Sequence, residues 1–431
     1  MTSTVRIGLV GMGTVGGALV QLVQEQHDDI AALTGVDLVV QRIAVADVTK
    51  PRAVVLEPGV LTDAVDDVLA ADDVDLVVEL VGGVEQPRKW VRAALSAGKS
   101  VVTGNKALLA AHGRELFDLA VDHGVELLFE ASVAGGIPLM RALQKSLRGE
   151  PIERVMGIVN GTTNYMLSSM TEDGADYDEV LAEAQALGYA EADPTADVEG
   201  HDAQAKAAII ASVAFGVSLT DGDVPVQGIS SVTATDIANA RRLGYVIKLL
   251  AVVERSGERA PYEISARVHP TMVPIGHPLA TVRGSFNAVF IEGGAVGELM
   301  LYGRGAGGRP TASAVLGDVI EAATGIAHHS VRPLPALRDA VVRPPEASTS
   351  AFYLDLAVDD QPGVLAEVAG VFGANGVSIR SMEQEGLGAE ATLAFITHRA
   401  SERDMAATIE KLAALSSVNR VGAHYRVISD E

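Results

Sequence analysis

The first hundred residues alternate short apolar runs with helical patterns, and no other feature of the chain narrows its fold so far. Val5-Arg6-Ile7-Gly8-Leu9-Val10 reads as a buried strand, followed by a helix over residues 15–26. Residues 37–46, 75–80 and 100–103 read as further strands, with a helix over 86–97, and 127–130 ends the series. Strands and helices alternating at this spacing predict an α/β unit with a parallel, doubly wound Rossmann-type sheet. Directly after the first strand stands Gly11-Met12-Gly13-Thr14-Val15-Gly16, a G-x-G-x-x-G match that opens a helix. Gly11 permits the tight turn, Gly13 lets a pyrophosphate approach the backbone, and Gly16 allows close helix–strand packing. The helix N-terminus then offers free N–H groups to the phosphates.

The 431 residues correspond to about three domains. With 33 Lys+Arg against 56 Asp+Glu the formal net charge is −23, which argues against nucleic acid or an anionic membrane as main partner. There is no cysteine. That excludes disulfides, Cys-ligated zinc, iron–sulfur clusters and thiol nucleophiles, and with them aldehyde oxidation through a thiohemiacetal. The apolar run at 5–10 is too short for a signal peptide, and no apolar segment reaches the ~18–20 residues that span a bilayer. The expected location is the cytoplasm.

Beyond residue 133 the pattern becomes a mixed α+β one, with an Ala-rich helix over 198–215 and Gly-interrupted strands over 289–302. Residues 331–350 hold Pro333, Pro335, Pro344 and Pro345 and read as a linker. After it come strand 352–358, helix 362–374, strands 377–382 and 391–397, helix 402–415 and strand 421–428. That βαββαβ order is a ferredoxin-like unit. The expected domains are therefore 1–132, 133–330 and 351–431, with the linker at 331–350.

Cofactor choice depends on the end of the second strand, where an acidic residue suits the ribose of NAD and a cation the 2′-phosphate of NADP. Asp47 follows Ala46, but Lys50 and Arg52 lie just beyond. Two converging cations tip the balance slightly to NADP, and use of NAD stays open.

A second informative stretch runs from Gly188 through Glu191, Asp193, Pro194, Asp197 and His201 to Asp202 and Lys206. Its first part is loop, then helix, so Asp202 and Lys206 share a helical face at i and i+4. An ordinary surface ion pair has the same spacing. Thr103-Gly104-Asn105-Lys106 follows a strand of the first sheet, at the carboxyl edge where open α/β sheets bind ligands. Glu130-Ala131-Ser132-Val133-Ala134-Gly135-Gly136-Ile137-Pro138 sits where two domains meet, and its carboxylate and carbonyls suit a hard cation.

Taken together these runs, with Gly157-Ile158-Val159-Asn160-Gly161-Thr162-Thr163-Asn164-Tyr165, resemble the homoserine dehydrogenase family from Val5 to about Thr324. The resemblance implies NAD(P)-dependent interconversion of L-homoserine and L-aspartate 4-semialdehyde in threonine, methionine and isoleucine biosynthesis. It makes Lys206 the proton donor and acceptor, with Lys106 as helper or alternative. It places the substrate amino group on Glu191 and Asp202, supported by Asp197. It puts a structural sodium ion on Glu130 and the carbonyls of Val133, Gly135 and Ile137, and brings Gly188 and Gly303 near the cofactor. Where the family more often has an arginine this chain has Ala46, which weakens the NADP reading. Asp359-Asp360-Gln361-Pro362-Gly363-Val364-Leu365-Ala366 with Asn375-Gly376-Val377-Ser378-Ile379 resembles an ACT domain. That resemblance implies a regulatory module with L-threonine as effector and a homo-oligomer, dimer or tetramer; dimerisation alone is the other role such a module takes.

A lysine near its ordinary pKa of about 10.4 is a poor base at neutral pH, so desolvation or a second cation must lower it, and homoserine oxidation is expected to favour alkaline pH. Two other readings are a non-catalytic sensor of nucleotide and amino acid, and a dehydrogenase of another small amino or hydroxy acid. The Tyr-x-x-x-Lys pair of short-chain dehydrogenases is missing, since Tyr245 and Lys248 are too close by one residue, and His201 has no partner histidine at i+4.

Overall fold

The structure is a computed structural model that describes residues 2–257 and 261–429. Residues 1, 258–260, 430 and 431 of the expected domain ranges lie outside the described residues. The N-terminal sheet contains β1 (Ser3–Val10), β2 (Val36–Ala44), β3 (Leu61–Thr62), β4 (Leu76–Glu79), β5 (Ser100–Thr103) and β6 (Leu127–Leu128). All pair in parallel, in the order β3-β2-β1-β4-β5-β6. Between them run α1 (Thr14–Glu25), α2 (His27–Thr34), α3 (Asp66–Leu69), α4 (Glu85–Ser96) and α5 (Lys106–His123). Burial on both faces explains the near-continuous apolar strands: Ile7, Leu9, Leu76, Val78, Val101 and Val102 are all at most 1% exposed. The strand order reverses between β1 and β4, and the crevice beyond their carboxyl ends is where such sheets take ligands.

The chain continues through α6 (Leu139–Arg141), β7 (Ile152–Ile158), α7 (Gly161–Asp173), α8 (Tyr177–Ala186), α9 (Thr195–Val198), α10 (His201–Phe215) and β8 (Val217–Ser218). It then forms α11 (Ala234–Arg242), β9 (Tyr245–Ser256), β10 (Glu263–Pro274), β11 (Phe286–Gly293), β12 (Gly297–Arg304) and α12 (Gly308–Ala327). The helix expected over 198–215 is broken at Gly200, whose φ of +83° ends α9 and starts α10. A Cβ there would sit 2.8 Å from Val226 Cγ2, so neither backbone nor space admits another residue. Although α12 falls in the range expected for the second domain, it packs on the first. Its Ala312, Val315, Val319 and Ala323 share one apolar core with Val5, Leu9 and Leu19.

The C-terminal part comprises β13 (Arg338–Asp339), β14 (Val341–Val342), β15 (Thr349–Asp359), α13 (Val364–Ala374), β16 (Ile379–Leu387), β17 (Glu390–Thr397), β18 (Ala400–Ser401), α14 (Glu402–Ala413) and β19 (Val418–Val427). The βαββαβ order is present, with the short β18 added. The expected linker is docked: β13 pairs with β8 and β14 with β10. Moreover β19 pairs with β10, so central and C-terminal strands form one sheet in the order β12-β11-β7-β9-β10-β19-β15-β17-β16.

Candidate functional site

The glycine loop has the geometry its pattern predicts. Gly11 lies at φ +96°, and a Cβ there would come within 2.7 Å of the Val81 side chain and 2.9 Å of the Leu80 carbonyl. A Cβ on Gly16 would meet the Gly11 carbonyl oxygen at 2.3 Å. One on Gly13 would meet nothing within 4 Å, so open space lies beside the loop where a pyrophosphate would approach. No side chain caps α1, which leaves its first N–H groups to a ligand. Met12 is half-buried and Thr14 exposed, and Gly308 at the start of α12 is packed so closely that a Cβ there would lie 3.0 Å from Thr14 Cγ2.

Past β2 the chain folds onto itself. Asp47 Oδ1 accepts from the Thr49 amide at 2.8 Å and hydroxyl at 2.6 Å, which holds its carboxyl below the usual range. The Arg52 guanidinium donates to the carbonyls of Lys50 and Asp47 at 2.6 and 2.9 Å, while Lys50 is exposed. The charge of Arg52 also acts on the nearby Asp47 carboxylate.

At the carboxyl edge of the sheet, Asn105 caps α5 by accepting from the Leu108 amide at 3.1 Å and donating to the carbonyls of Val81 and Gly83. This fixes Lys106, the first residue of α5, over the end of β5. Behind it Glu79, 1% exposed, accepts from the Thr103 hydroxyl and the Val81 amide, both at 2.6 Å. Burial nevertheless pushes the Glu79 carboxyl up.

The central feature is a carboxylate held between two lysines. Asp202 Oδ2 accepts from Lys206 Nζ at 2.7 Å, and its Oδ1 is ion-paired with Lys106 from α5 of the N-terminal unit. Lys206 Nζ also donates to the Val159 carbonyl at 2.6 Å. Asn160 caps α7 through its Oδ1 and donates from Nδ2 to both Asp197 (2.7 Å) and Asp202 (2.9 Å). Burial would raise the Asp202 carboxyl, but the charges and hydrogen bonds of Lys206 and Lys106 hold it well below the carboxylate range. Lys206 is displaced downward, by burial first and then by repulsion from Lys106, against the pull of Asp202.

Lys106 and Lys206 face a cleft of about 400 Å³ between the two halves, whose walls also include Val15, Gly104, Ser132 and Gly135. Not every expected residue reaches it. Glu191 is exposed on the loop before α9, Gly188 turns that loop at φ +77°, and Gly303 packs under Ile137. Instead Gly305 and Ala306 line the cleft. Asn287, 1% exposed, lies against Gly305 with neither amide atom hydrogen-bonded. Asn160 stands in the Gly157–Tyr165 run that carries the resemblance, which gave it no role of its own, and no sequence signal marks Asn287. Lys248 points away, buried among Asn164, Ser168 and the Val282 carbonyl, and His201 makes only a helix-surface contact with Gln204.

The candidate cation loop is strongly bent, with Ala134 at φ +58° and Gly135 at +52°. Glu130 is 2% exposed, and its two oxygens accept from the Met140 and Arg141 amides at 2.8 Å each. Burial still raises its carboxyl, so a cation beside it would be stabilising. The Ile137 carbonyl accepts from the Leu139 amide at 2.8 Å, which leaves one lone pair. In the C-terminal unit Gly363, at φ +99°, starts α13 without a side-chain cap and with open space around it.

Comparison with known proteins accords with this geometry. Family profiles described as homoserine dehydrogenase, as its NAD binding domain and as ACT domain match residues 138–320, 11–130 and 352–417. A homoserine dehydrogenase of Corynebacterium glutamicum is 49% identical, with 99% of this chain and 96% of that protein covered. The crystal structure of a homoserine dehydrogenase from Thiobacillus denitrificans superposes with a TM-score of 0.92 at 40% identity, covering 99% of both chains. A hyperthermophilic archaeal homoserine dehydrogenase solved in complex with NADPH matches at TM-score 0.64 and 29% identity, over 78% of this chain and all of that one.

Proposed function

The chain belongs to the homoserine dehydrogenase family, and we propose that Lys206 and Lys106 carry the hydroxyl proton in its reaction. It is an NAD(P)-dependent oxidoreductase that interconverts L-homoserine and L-aspartate 4-semialdehyde. The carrying observation is the buried Asp202–Lys206 pair, joined by the half-exposed Lys106, beside a cleft that also receives Val15 of the glycine loop.

When bound, the nicotinamide supplies or accepts a hydride at C4. Gly11, Met12, Gly13, Thr14, Val15 and Gly16 hold the pyrophosphate. Lys206 as a neutral amine takes the alcohol proton in oxidation and as ammonium returns it in reduction; its lowered pKa enlarges the neutral fraction near physiological pH. Lys106, on the exposed rim, relays the proton or polarises the same oxygen. Asp202 keeps both ammonium groups in place and shares the substrate amino group with Glu191, which stands outside the cleft wall on the loop before α9 and has no ion-pair partner among the described residues. Asp197 supports this cluster through Asn160. The division into a cofactor region (1–132), a substrate and dimerisation region (133–330), a linker (331–350) and a regulatory region (351–431) follows, with α12 crossing back to brace the first.

Finer assignments belong to the same reading. Glu130, with the carbonyls of Val133, Gly135 and Ile137, holds a structural sodium ion. Arg52 with Lys50 receives the 2′-phosphate of NADP, and Asp47 leaves NAD usable. The ACT domain takes L-threonine at Pro362 and Gly363 and joins subunits of a dimer or tetramer. No described helix is long and apolar enough to cross a membrane, and we place the protein in the cytoplasm.

Initial rates of homoserine oxidation, followed by reduced-nicotinamide absorbance with each cofactor and with or without threonine, test the reading. Saturable turnover is expected, falling about 10²–10⁴-fold in Lys206→Ala. Unchanged turnover in that variant, or saturation with neither cofactor, defeats the assignment.

A further inference from the structure

A second cleft, of about 380 Å³, lies where the C-terminal unit meets the central sheet. Its walls come from β10, the segment Pro225–Gln227, the docked linker and the first turn of α14. Because side chains alternate along a strand, β10 turns Ser265, Arg267 and His269 to one side, and all three line the cleft. His269 is 3% exposed; its Nδ1 lies 2.8 Å from the Thr271 hydroxyl, while its Nε2 is buried without a hydrogen-bond partner. Its Nδ1 also lies 3.3 Å from the Pro270 carbonyl, and the Thr271 hydroxyl donates to the His269 carbonyl at 3.2 Å, so in the neutral ring Nδ1 carries the hydrogen and Nε2 is an acceptor. Arg267, 9% exposed, donates from Nη1 to Glu254 at 2.7 Å and to Ser265 at 3.0 Å, but its buried Nε is also unpartnered.

Opposite them Arg426 grips Glu402 with two hydrogen bonds of 2.6 and 2.9 Å, and Arg403 is exposed with no ion-pair partner among the described residues. Of the four arginines in this cleft, Arg267, Arg343 and Arg426 are ion-paired with Glu254, Glu263 and Glu402, which leaves Arg403 as the unpaired cation among the described residues. The buried unpartnered Nε–H of Arg267 and the exposed guanidinium of Arg403 make an anion-binding end. The exposed carboxylates of Asp223 and Glu346 make a cationic-group end, with Val342 and Ala406 as apolar wall between.

We propose that this cleft between the central sheet and the ACT domain is a binding site for a small zwitterionic amino acid, distinct from the loop at Gly363. The carboxylate of the ligand lies toward Arg267 and Arg403, and its ammonium toward Glu346 and Asp223. The wall that it touches leans on the catalytic helix. Val226 packs against Gly200, the Ile229 amide donates to the Val198 carbonyl at 2.8 Å, and a Cβ on Gly228 would lie 2.3 Å from that same oxygen. Gly200 starts α10, which carries Asp202 and Lys206. Ligand pressure on residues 225–228 therefore bears on the lysine–carboxylate array. The binding is independent of the catalytic reading; only its effect on rate rests on that reading.

Isothermal titration calorimetry on the full chain tests binding, with each proteinogenic L-amino acid, and with succinate and inorganic phosphate as anion probes. One or more amino acids should bind the wild type, and Arg403→Ala should weaken this about tenfold with an unchanged melting temperature. Gln361→Ala, beside Gly363, should leave it intact. The proposal is overturned by absence of amino acid binding, by binding of succinate or phosphate alone, or by binding that Arg403→Ala leaves unaltered. Homoserine oxidation is measured in parallel, so a catalytically inert chain that binds the amino acid refutes the enzyme reading and leaves this one standing.

Discussion

Replacing Asp202 by Asn removes the one negative charge between two lysines while keeping the side chain's shape. Lys206 Nζ loses an anion at 2.7 Å but retains the Val159 carbonyl at 2.6 Å. An opposite charge at such range typically shifts a pKa by about 1–3 units, and Asp202 is the main influence holding Lys206 up against burial and Lys106. Its loss must therefore lower Lys206 further. If neutral Lys206 is the base for homoserine oxidation, the rising limb of the pH–rate profile moves about 1–3 units toward acid in Asp202→Asn. Stability falls at the same time, since breaking one side of a buried ion pair costs about 3–5 kcal/mol. The sign of that loss depends on a carboxyl whose folded pKa is depressed. Wild type keeps its full advantage above about pH 4, the unfolded carboxyl value, and loses it as pH falls toward the lower folded value. The assay is initial rate against pH under saturating homoserine and cofactor, with thermal melts of both proteins. A limb that stays in place or moves to higher pH would falsify Lys206 as the titrating base, whatever happens to the maximal rate.

Lys206→Arg keeps a cation near Asp202 but cannot deprotonate, so oxidation should fall about 10²–10⁴-fold with fluorescence-detected cofactor binding retained; a rate within threefold or so of wild type contradicts the proton role. Gly16→Ala places a methyl 2.3 Å from the Gly11 carbonyl and should weaken cofactor binding by tenfold or more, at an overpacking cost of about 1–3 kcal/mol in unfolding free energy. Lys248 is buried with its pKa pushed down to about 8, so the unfolded state binds more protons between pH 8 and the ordinary lysine value. Denaturant unfolding should show stability rising by about 3 kcal/mol at most across that window, and Lys248→Met should remove the rise; an identical slope in both proteins contradicts the burial argument.

Much of the fold was legible because periodicity reports which face of an element is apolar. The parallel strands before residue 130 and the βαββαβ unit after residue 350 appeared near their expected positions. Two boundaries did not follow the pattern. The helix expected over 198–215 breaks at Gly200, because Val226 from a distant segment fills the space a side chain would need. The proline-rich linker is docked because β8 and β10 offered free strand edges that β13 and β14 occupy. Periodicity states that a face must be covered and is silent on what covers it, which is why α12 went unassigned to the first sheet.

The sequence by itself determined the glycine loop and the shared helical face of Asp202 and Lys206, for both depend on spacing within a few residues. The absence of cysteine likewise narrowed the chemistry before any fold was known. Only the tertiary structure decided that Lys106, from α5 of the N-terminal unit, completes the pairing of Asp202, and that Asn160 ties this carboxylate to Asp197. It alone placed Arg267 and His269 beneath an arginine of the C-terminal unit. The physical reason is one of range. Backbone propensity and side-chain period act over a turn or two, whereas a buried charge is set by whichever segments close around it.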